Sequence, residues 1–310
     1  ALPQDVQAEA WDWPERLLEP HTWTVPRARP DAGAVAAAAE LIANAKRPMI
    51  VAGGGVIYSD ADDALDGFVS RFDVPFTETQ AGKGALPWDH PLNMGALGST
   101  GTSAGNAVAH DADVVIAIGT RLSDFPTMSW SAWQHPDVRF VAVNVAELDA
   151  AKAAALPLVG DARATLLELH AALDARGWSG VSPERRERLA GLRAAWHEES
   201  TRVLHLASDT HVSQPEIIRL VNESLGDGIV VCAAGGLPGD MHKLWRPATR
   251  GSYHMEYGNS TMGYEIAGGM GVAMAEPARR VHVMIGDGSY LMPANELLTA
   301  RQEGVALTVV

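Results

Sequence analysis

Short runs rich in valine and isoleucine recur along this chain, most of them ending in a turn that leads into a helical stretch. Pro48–Ala52, Val74–Glu78, Val114–Ile118, Arg139–Val143 and Pro157–Val159 read as strands. Asp31–Lys46, Ser59–Phe72, Thr102–His110 and Asp161–Arg176 read as helices, with Asp31 as an N-cap. A second alternation comprises the helix Pro215–Leu225, the strand Ile229–Cys232, the turn and short helix Gly235–Leu244, the irregular stretch Gly251–Tyr257, the helix Tyr264–Ala275 and the strands Val281–Ile285 and Val305–Val310. Strands joined through helices need crossover connections, and crossovers build parallel sheets covered on both faces. The expected fold class is therefore α/β, with two doubly wound, mostly parallel-sheet domains. Residues 1–30, with five prolines and three tryptophans, read as an extended linker. Residues 31–177 read as a central Rossmann-like domain, 178–212 as a linker with a charged, solvent-exposed helix over Arg185–Glu199, and 213–310 as the second domain.

Composition narrows the function. The 310 residues carry a net charge of -14, which disfavours nucleic acid and anionic membrane surfaces as partners. No apolar run reaches membrane-spanning length. The lone Cys232 lies in a strand, reads as a buried inert thiol and fits a reducing, cytoplasmic setting. The polar N-terminus lacks the pattern of a signal peptide.

The most informative stretch is Val281–Asn295. A strand run stops at Gly286-Asp287-Gly288, and Ser289 opens a helix-like segment that ends near Gly304. A carboxylate between glycines at a strand's C-terminal end can hold a divalent cation. The glycines admit a phosphate close to the backbone, and the helix start offers it free N–H groups. Ala233–Gly239, with the pair Gly235-Gly236 before Leu237, also follows a strand and precedes a helix; it reads either as a phosphate turn or as an ordinary tight turn. Gly53–Gly55 misses the dinucleotide spacing because Tyr58 stands where a third glycine is required, so a tight strand-to-helix turn is preferred. The histidines show no metal-ligand spacing. His254 is open to a substrate contact or to a supporting role.

Gly286-Asp287-Gly288, together with Met262 placed 25 residues before Asp287, resembles the signature of thiamine-diphosphate-dependent enzymes. The distinctive stretches Glu78–Gly98, Gly119–Phe125, Leu237–Trp245 and His254–Gly271 resemble one branch of that family. Its members hydrolyse a carbon–carbon bond of a six-membered cyclic 1,2-dione in inositol catabolism, opening the ring to 5-deoxyglucuronate. Asn259, Thr261 and Pro293 depart from the expected residues. The resemblance implies thiamine diphosphate and Mg²⁺ as cofactors, with Asp287 as metal ligand. Gly235, Gly236, Leu237, Gly286, Gly288 and Ser289 are expected around the diphosphate. The Ser260 carbonyl would accept from the cofactor's amino group, and Met262 would prop the cofactor in its bent shape. It also implies a homodimer or homotetramer with the site shared between subunits. A second metal ligand, an Asn, is expected a few residues beyond Val310. The glutamate that activates the cofactor is expected in a pyrimidine-binding domain preceding Ala1, so the chain reads as a fragment that is inactive by itself. Another thiamine-diphosphate enzyme, such as an acetolactate-synthase-like carboligase, and a non-enzymatic nucleotide-binding module are the alternatives.

Overall fold

The computed structural model describes residues 2–206 and 210–310. Two parallel sheets form its framework. The first contains β1 (Pro48–Ala52), β2 (Phe76–Glu78), β3 (Asn93–Ala96), β4 (Val114–Ile118), β5 (Arg139–Asn144) and β6 (Leu156–Val159), in the order β3-β2-β1-β4-β5-β6. The second contains β7 (Ile229–Cys232), β8 (Tyr253–Met255), β9 (Val281–Val283) and β10 (Thr308–Val309), in the order β10-β9-β7-β8. Both sheets are doubly wound, as the alternation predicts.

The central strands β1 and β4 are buried along their whole length, which explains their unbroken apolar sequence. Alternate residues feed opposite faces. Ile50, Ala52, Ile116 and Ile118 pack with Phe68, Phe72, Leu166 and Leu169. Met49, Val51, Val115 and Ala117 pack with Val108, Trp133 and Leu189. Asp31 and Asp161 cap their helices through side-chain oxygens that accept from Ala34 N at 2.9 Å and Ala164 N at 3.1 Å.

Several elements differ from the sequence expectation. Strand β3 is unexpected; Gly95, at φ +83°, interrupts the pattern that would reveal it. The helix expected over Ser59–Phe72 starts at Asp62, after a separate turn of helix at Gly54–Tyr58 and a left-handed Asp60 at φ 52°. Residues Gly251–Tyr257 contain β8 instead of being wholly irregular. The segment after Gly288 is split by Pro293, which has no N–H to continue a helix, into Asp287–Tyr290 and Glu296–Gln302. Residues 2–30 carry little regular structure beyond short helical turns at Gln4–Ala8 and Glu15–Leu17, and nearly all are exposed.

The charged helix is the largest correction. It spans Pro183–Leu204 and is not simply solvent-exposed: Arg185, Leu189, Ser200 and Leu204 are buried. Leu189 belongs to the core of the first sheet and Leu204 to that of the second, so one helix ties the two cores together. Its other faces carry the charge that dominates the sequence pattern.

Gly53–Gly55 earns its glycines by packing. A Cβ on Gly53 would lie 2.3 Å from the Gly119 carbonyl oxygen, and one on Gly55 would lie 2.5 Å from Gly119 Cα. Gly119 follows β4, so this turn closes against backbone at the point where the strand order reverses. That agrees with the tight-turn reading. Gly53→Ala is expected to cost about 1–3 kcal/mol through overpacking, measured as a lower urea midpoint at unchanged slope.

A glycine crevice braced by Glu265

Parallel strands place their C-terminal ends on one edge, and ligands bind where the order reverses. In the second sheet that point lies between β7 and β9, which are neighbours with connections leading away to opposite sides. Ala233–Gly236 follows β7 and Gly286–Gly288 follows β9, so the two sequence-predicted turns flank the crevice. Here the space is open. A Cβ on Gly235, Gly236 or Gly286 would meet no atom within 4 Å, and one on Gly288 would meet only Met262 Cε at 3.6 Å. Gly235 adopts φ +95° and starts the helix Gly236–Leu244, which carries Leu237 in its first turn.

Asp287 is exposed, and its Oδ1 accepts from Gly288 N at 2.7 Å. No basic side chain among the described residues forms an ion pair with it. It can therefore supply one oxygen to a cation. Among the described residues no group of three or more His, Cys, Asp or Glu can hold a metal. The crevice thus fits a diphosphate with a divalent cation: open backbone at glycines, helix starts and one free carboxylate.

Ser260 and Met262 lie on the loop leading into the helix Tyr264–Ala275. Ser260 adopts φ 53°, a strained conformation for a non-glycine residue. Glu256 shapes the loop by accepting from Asn259 N at 2.9 Å and Thr261 N at 2.6 Å. Burial pushes the Glu256 carboxyl up, but these backbone donors outweigh burial and hold it below its ordinary value. Met262 is 46% exposed and belongs to none of the core clusters.

Ser289, expected beside the diphosphate, turns its side chain away from the crevice. It is buried, and its hydroxyl faces inward, accepting from Gly263 N at 2.7 Å and donating to Glu265 Oε2 at 2.8 Å. That hydroxyl is a brace, and what remains for a ligand is backbone. Glu265, which sequence reading missed, is fully buried and also accepts from Gly263 N at 3.0 Å and Ala234 N at 3.2 Å. A carboxylate in the otherwise small and apolar run of Tyr264–Ala275 was the available signal. His254 supports rather than lines the crevice: its Nε2 lies 2.6 Å from the Tyr264 hydroxyl, the two rings stack, and burial lowers its imidazole. Cys232 is buried, and burial pushes its thiol up to about 12, as an inert thiol requires.

The first domain grips the helix Gly236–Leu244. Gln80 Nε2 donates to the Pro238 carbonyl at 3.0 Å, and its Oε1 accepts from Tyr253 at 3.0 Å. His242 is buried between the Glu78 carbonyl, 3.1 Å from Nε2, and Thr100 Oγ1, 2.8 Å from Nδ1. A carbonyl only accepts, so Nε2 carries the proton and Nδ1 accepts from the threonine. Burial, reinforced by Lys83, lowers His242 to about 3. The C-terminal edges of both sheets open on one cleft of about 360 Å³, bordered by Arg121 and Asn144 from the first domain and by Gly235, Tyr257 and Ser260 from the second.

The chain, with an open glycine crevice on the second of its two doubly wound sheets, matches two family models. Residues 35–169 match the thiamine pyrophosphate enzyme central domain, and residues 233–310 match the thiamine pyrophosphate enzyme C-terminal TPP binding domain. The chain belongs to the thiamine pyrophosphate enzymes. Among curated relatives it is 41% identical to a 3D-(3,5/4)-trihydroxycyclohexane-1,2-dione hydrolase of Clostridium perfringens, covering 98% of this chain and 51% of that protein. It is 40% identical to the enzyme of the same name from Geobacillus thermodenitrificans and 37% identical to that from Clostridium tetani, in each case over 100% of this chain and 51% of the relative. The chain thus spans about half the length of the curated relatives it matches.

Two outcomes follow. Because Met262 is exposed, Met262→Ala is expected to change stability by no more than about 0.5 kcal/mol, read by chemical denaturation. His242 is neutral when folded and titrates near 6.5 when unfolded. The unfolded chain therefore binds the extra proton as pH falls, and the stability that neutral His242 gives above about 6.5 is lost between there and about 3. Denaturation midpoints across that window should fall less steeply for His242→Gln, by about 1.4 kcal/mol per pH unit at most.

Proposed function

We propose that the protein hydrolyses a carbon–carbon bond of 3D-(3,5/4)-trihydroxycyclohexane-1,2-dione, opening the ring to 5-deoxyglucuronate, with thiamine diphosphate and Mg²⁺. The observation that carries this reading is the pair of open glycine turns flanking the reversal of strand order between β7 and β9, with Asp287 set between Gly286 and Gly288. The names of the relatives favour the hydrolase over a carboligase.

The chemistry supplied by bound thiamine diphosphate is nucleophilic addition to a carbonyl and an electron sink for breaking the adjacent bond. The chain's own residues bind and orient. Backbone N–H groups of Gly235, Gly236, Leu237, Gly288 and Ser289 are the donors for the diphosphate, that of Gly288 turning to it from Asp287 Oδ1, with Gly286 leaving room for it, while Asp287 contributes one carboxylate oxygen to Mg²⁺. The Ser260 carbonyl accepts from the cofactor's amino group, and Met262 supports its bent form. The remaining metal ligand and the activating glutamate come from outside residues 1–310, the latter from a pyrimidine-binding domain. We place the linker at 1–30, the central domain at 31–177, the connecting helix within 178–212 and the diphosphate-binding domain at 213–310.

Met262, Leu291, Met292 and Leu298 are exposed apolar side chains on the segments before and after Gly286–Gly288, and this surface supports a site shared between subunits of a homodimer or homotetramer. No described helix is long and apolar enough to cross a membrane. A cytoplasmic enzyme of inositol catabolism is the setting we infer.

Asp287→Ala in the intact protein is expected to abolish Mg²⁺-dependent binding of thiamine diphosphate. Isothermal titration with and without Mg²⁺ checks this, and unchanged affinity would overturn the assignment.

A further inference from the structure

Glu265 is fully buried and forms no ion pair with a basic side chain among the described residues. It sits in the first turn of Tyr264–Ala275, where the helix start favours a negative charge. One of its bonds, from Gly263 N, is the kind that caps a helix. Capping does not account for the other two. Oε1 accepts from Ala234 N, 31 positions away, and Oε2 accepts from Ser289 Oγ, 24 positions away. Ala234 follows β7 and Ser289 follows β9. Both lie on the two turns that border the open crevice. Gly263 joins them to the loop that carries Ser260 and Met262. A single carboxylate thus ties together the three segments that line the crevice, from its buried side.

We propose that Glu265 is the positioning residue for the crevice: it sets the spacing between the turn that takes the diphosphate and the turn that takes the divalent cation. This rests on the thiamine-diphosphate reading of the site. The chemistry is specific to a carboxylate. All three groups around it donate, and only a side chain with two acceptor oxygens receives them all. An amide of the same shape turns one oxygen into a donor, which then faces Ala234 N–H on one side or Gly263 N–H on the other. The two turns separate, and a diphosphate–metal pair that needs both loses its fit.

The test uses the intact protein, titrated with thiamine diphosphate at saturating Mg²⁺ and with Mg²⁺ at saturating thiamine diphosphate. Glu265→Gln is expected to raise both apparent dissociation constants by about 10–100-fold, the range seen when residues that orient ligand-holding groups are removed. Ser289→Ala, which deletes one donor and leaves the carboxylate in place, is expected to raise them by a smaller factor. The double variant should be no worse than Glu265→Gln alone, because both act through one unit. A purely structural role predicts a lower melting temperature with unchanged constants in the folded protein, and that result overturns the proposal. If Glu265→Gln does not fold, Ser289→Ala decides, and unchanged constants there overturn it equally. Wild-type protein that binds no thiamine diphosphate would instead overturn the cofactor reading on which the proposal stands.

Discussion

The hydrogen bonds converging on Glu265 are the interaction on which the site depends. Parallel strands bring β7 and β9 side by side, but their following turns diverge as soon as the ladder ends. Nothing in sheet geometry fixes the distance between Ala234 and Ser289. A buried carboxylate does, because its acceptor sites are few and their directions are set by the helix that bears it. Left without its donors, the same group would be a large penalty in an apolar interior, so the three segments and the carboxylate hold one another in place.

The two domains use glycine for opposite ends. At the reversal of strand order in the first sheet, Gly53 and Gly55 let the chain press onto Gly119, and the joined turns form one wall of the cleft. At the corresponding place in the second sheet, Gly235, Gly236 and Gly286 border free space. Both are glycine-rich strand-to-helix turns, and sequence spacing alone separates them poorly. What separates them is the partner across the gap: a tight backbone approach from after β4 in one case, and turns tied at a fixed spacing by Glu265 in the other.

Much of the fold was legible because burial on both faces leaves strands such as Val114–Ile118 as unbroken apolar runs, and because Asp31 and Asp161 announce their helices. The losses have local causes. β3 is broken by Gly95, Ser59–Phe72 conceals a left-handed Asp60, and Pro293 divides the last helical segment. Arg185–Glu199 looked solvated because its charges outnumber the residues Leu189 and Leu204 that anchor it. In the site, the glycine turns and Asp287 could be found by pattern. Glu265 is marked in the sequence only as a carboxylate in a small, apolar helix; what it holds was not legible, since its partners Ala234 and Ser289 are distant in sequence, and the inward turn of the Ser289 hydroxyl follows from that carboxylate.

The seam between the domains extends the same logic. Hydrophobic contact is non-directional, and an apolar interface at this place would tolerate sliding. Instead Gln80 meets Pro238 and Tyr253, and His242 meets Glu78 and Thr100, with each donor matched to one acceptor. Beside them lie Glu78 and Lys83, both buried; burial raises the carboxyl and lowers the amine, and each one's charge opposes that shift in the other. Such groups are costly and add little net stability. Their geometry nonetheless admits one docking of the phosphate-turn helix Gly236–Leu244 against the first sheet. The crevice is therefore braced from two sides, by Glu265 from within its own domain and by the central domain through Gln80 and His242. That gives the central domain, whose turns after β1 and β4 wall much of the same cleft, a defined part in shaping the site.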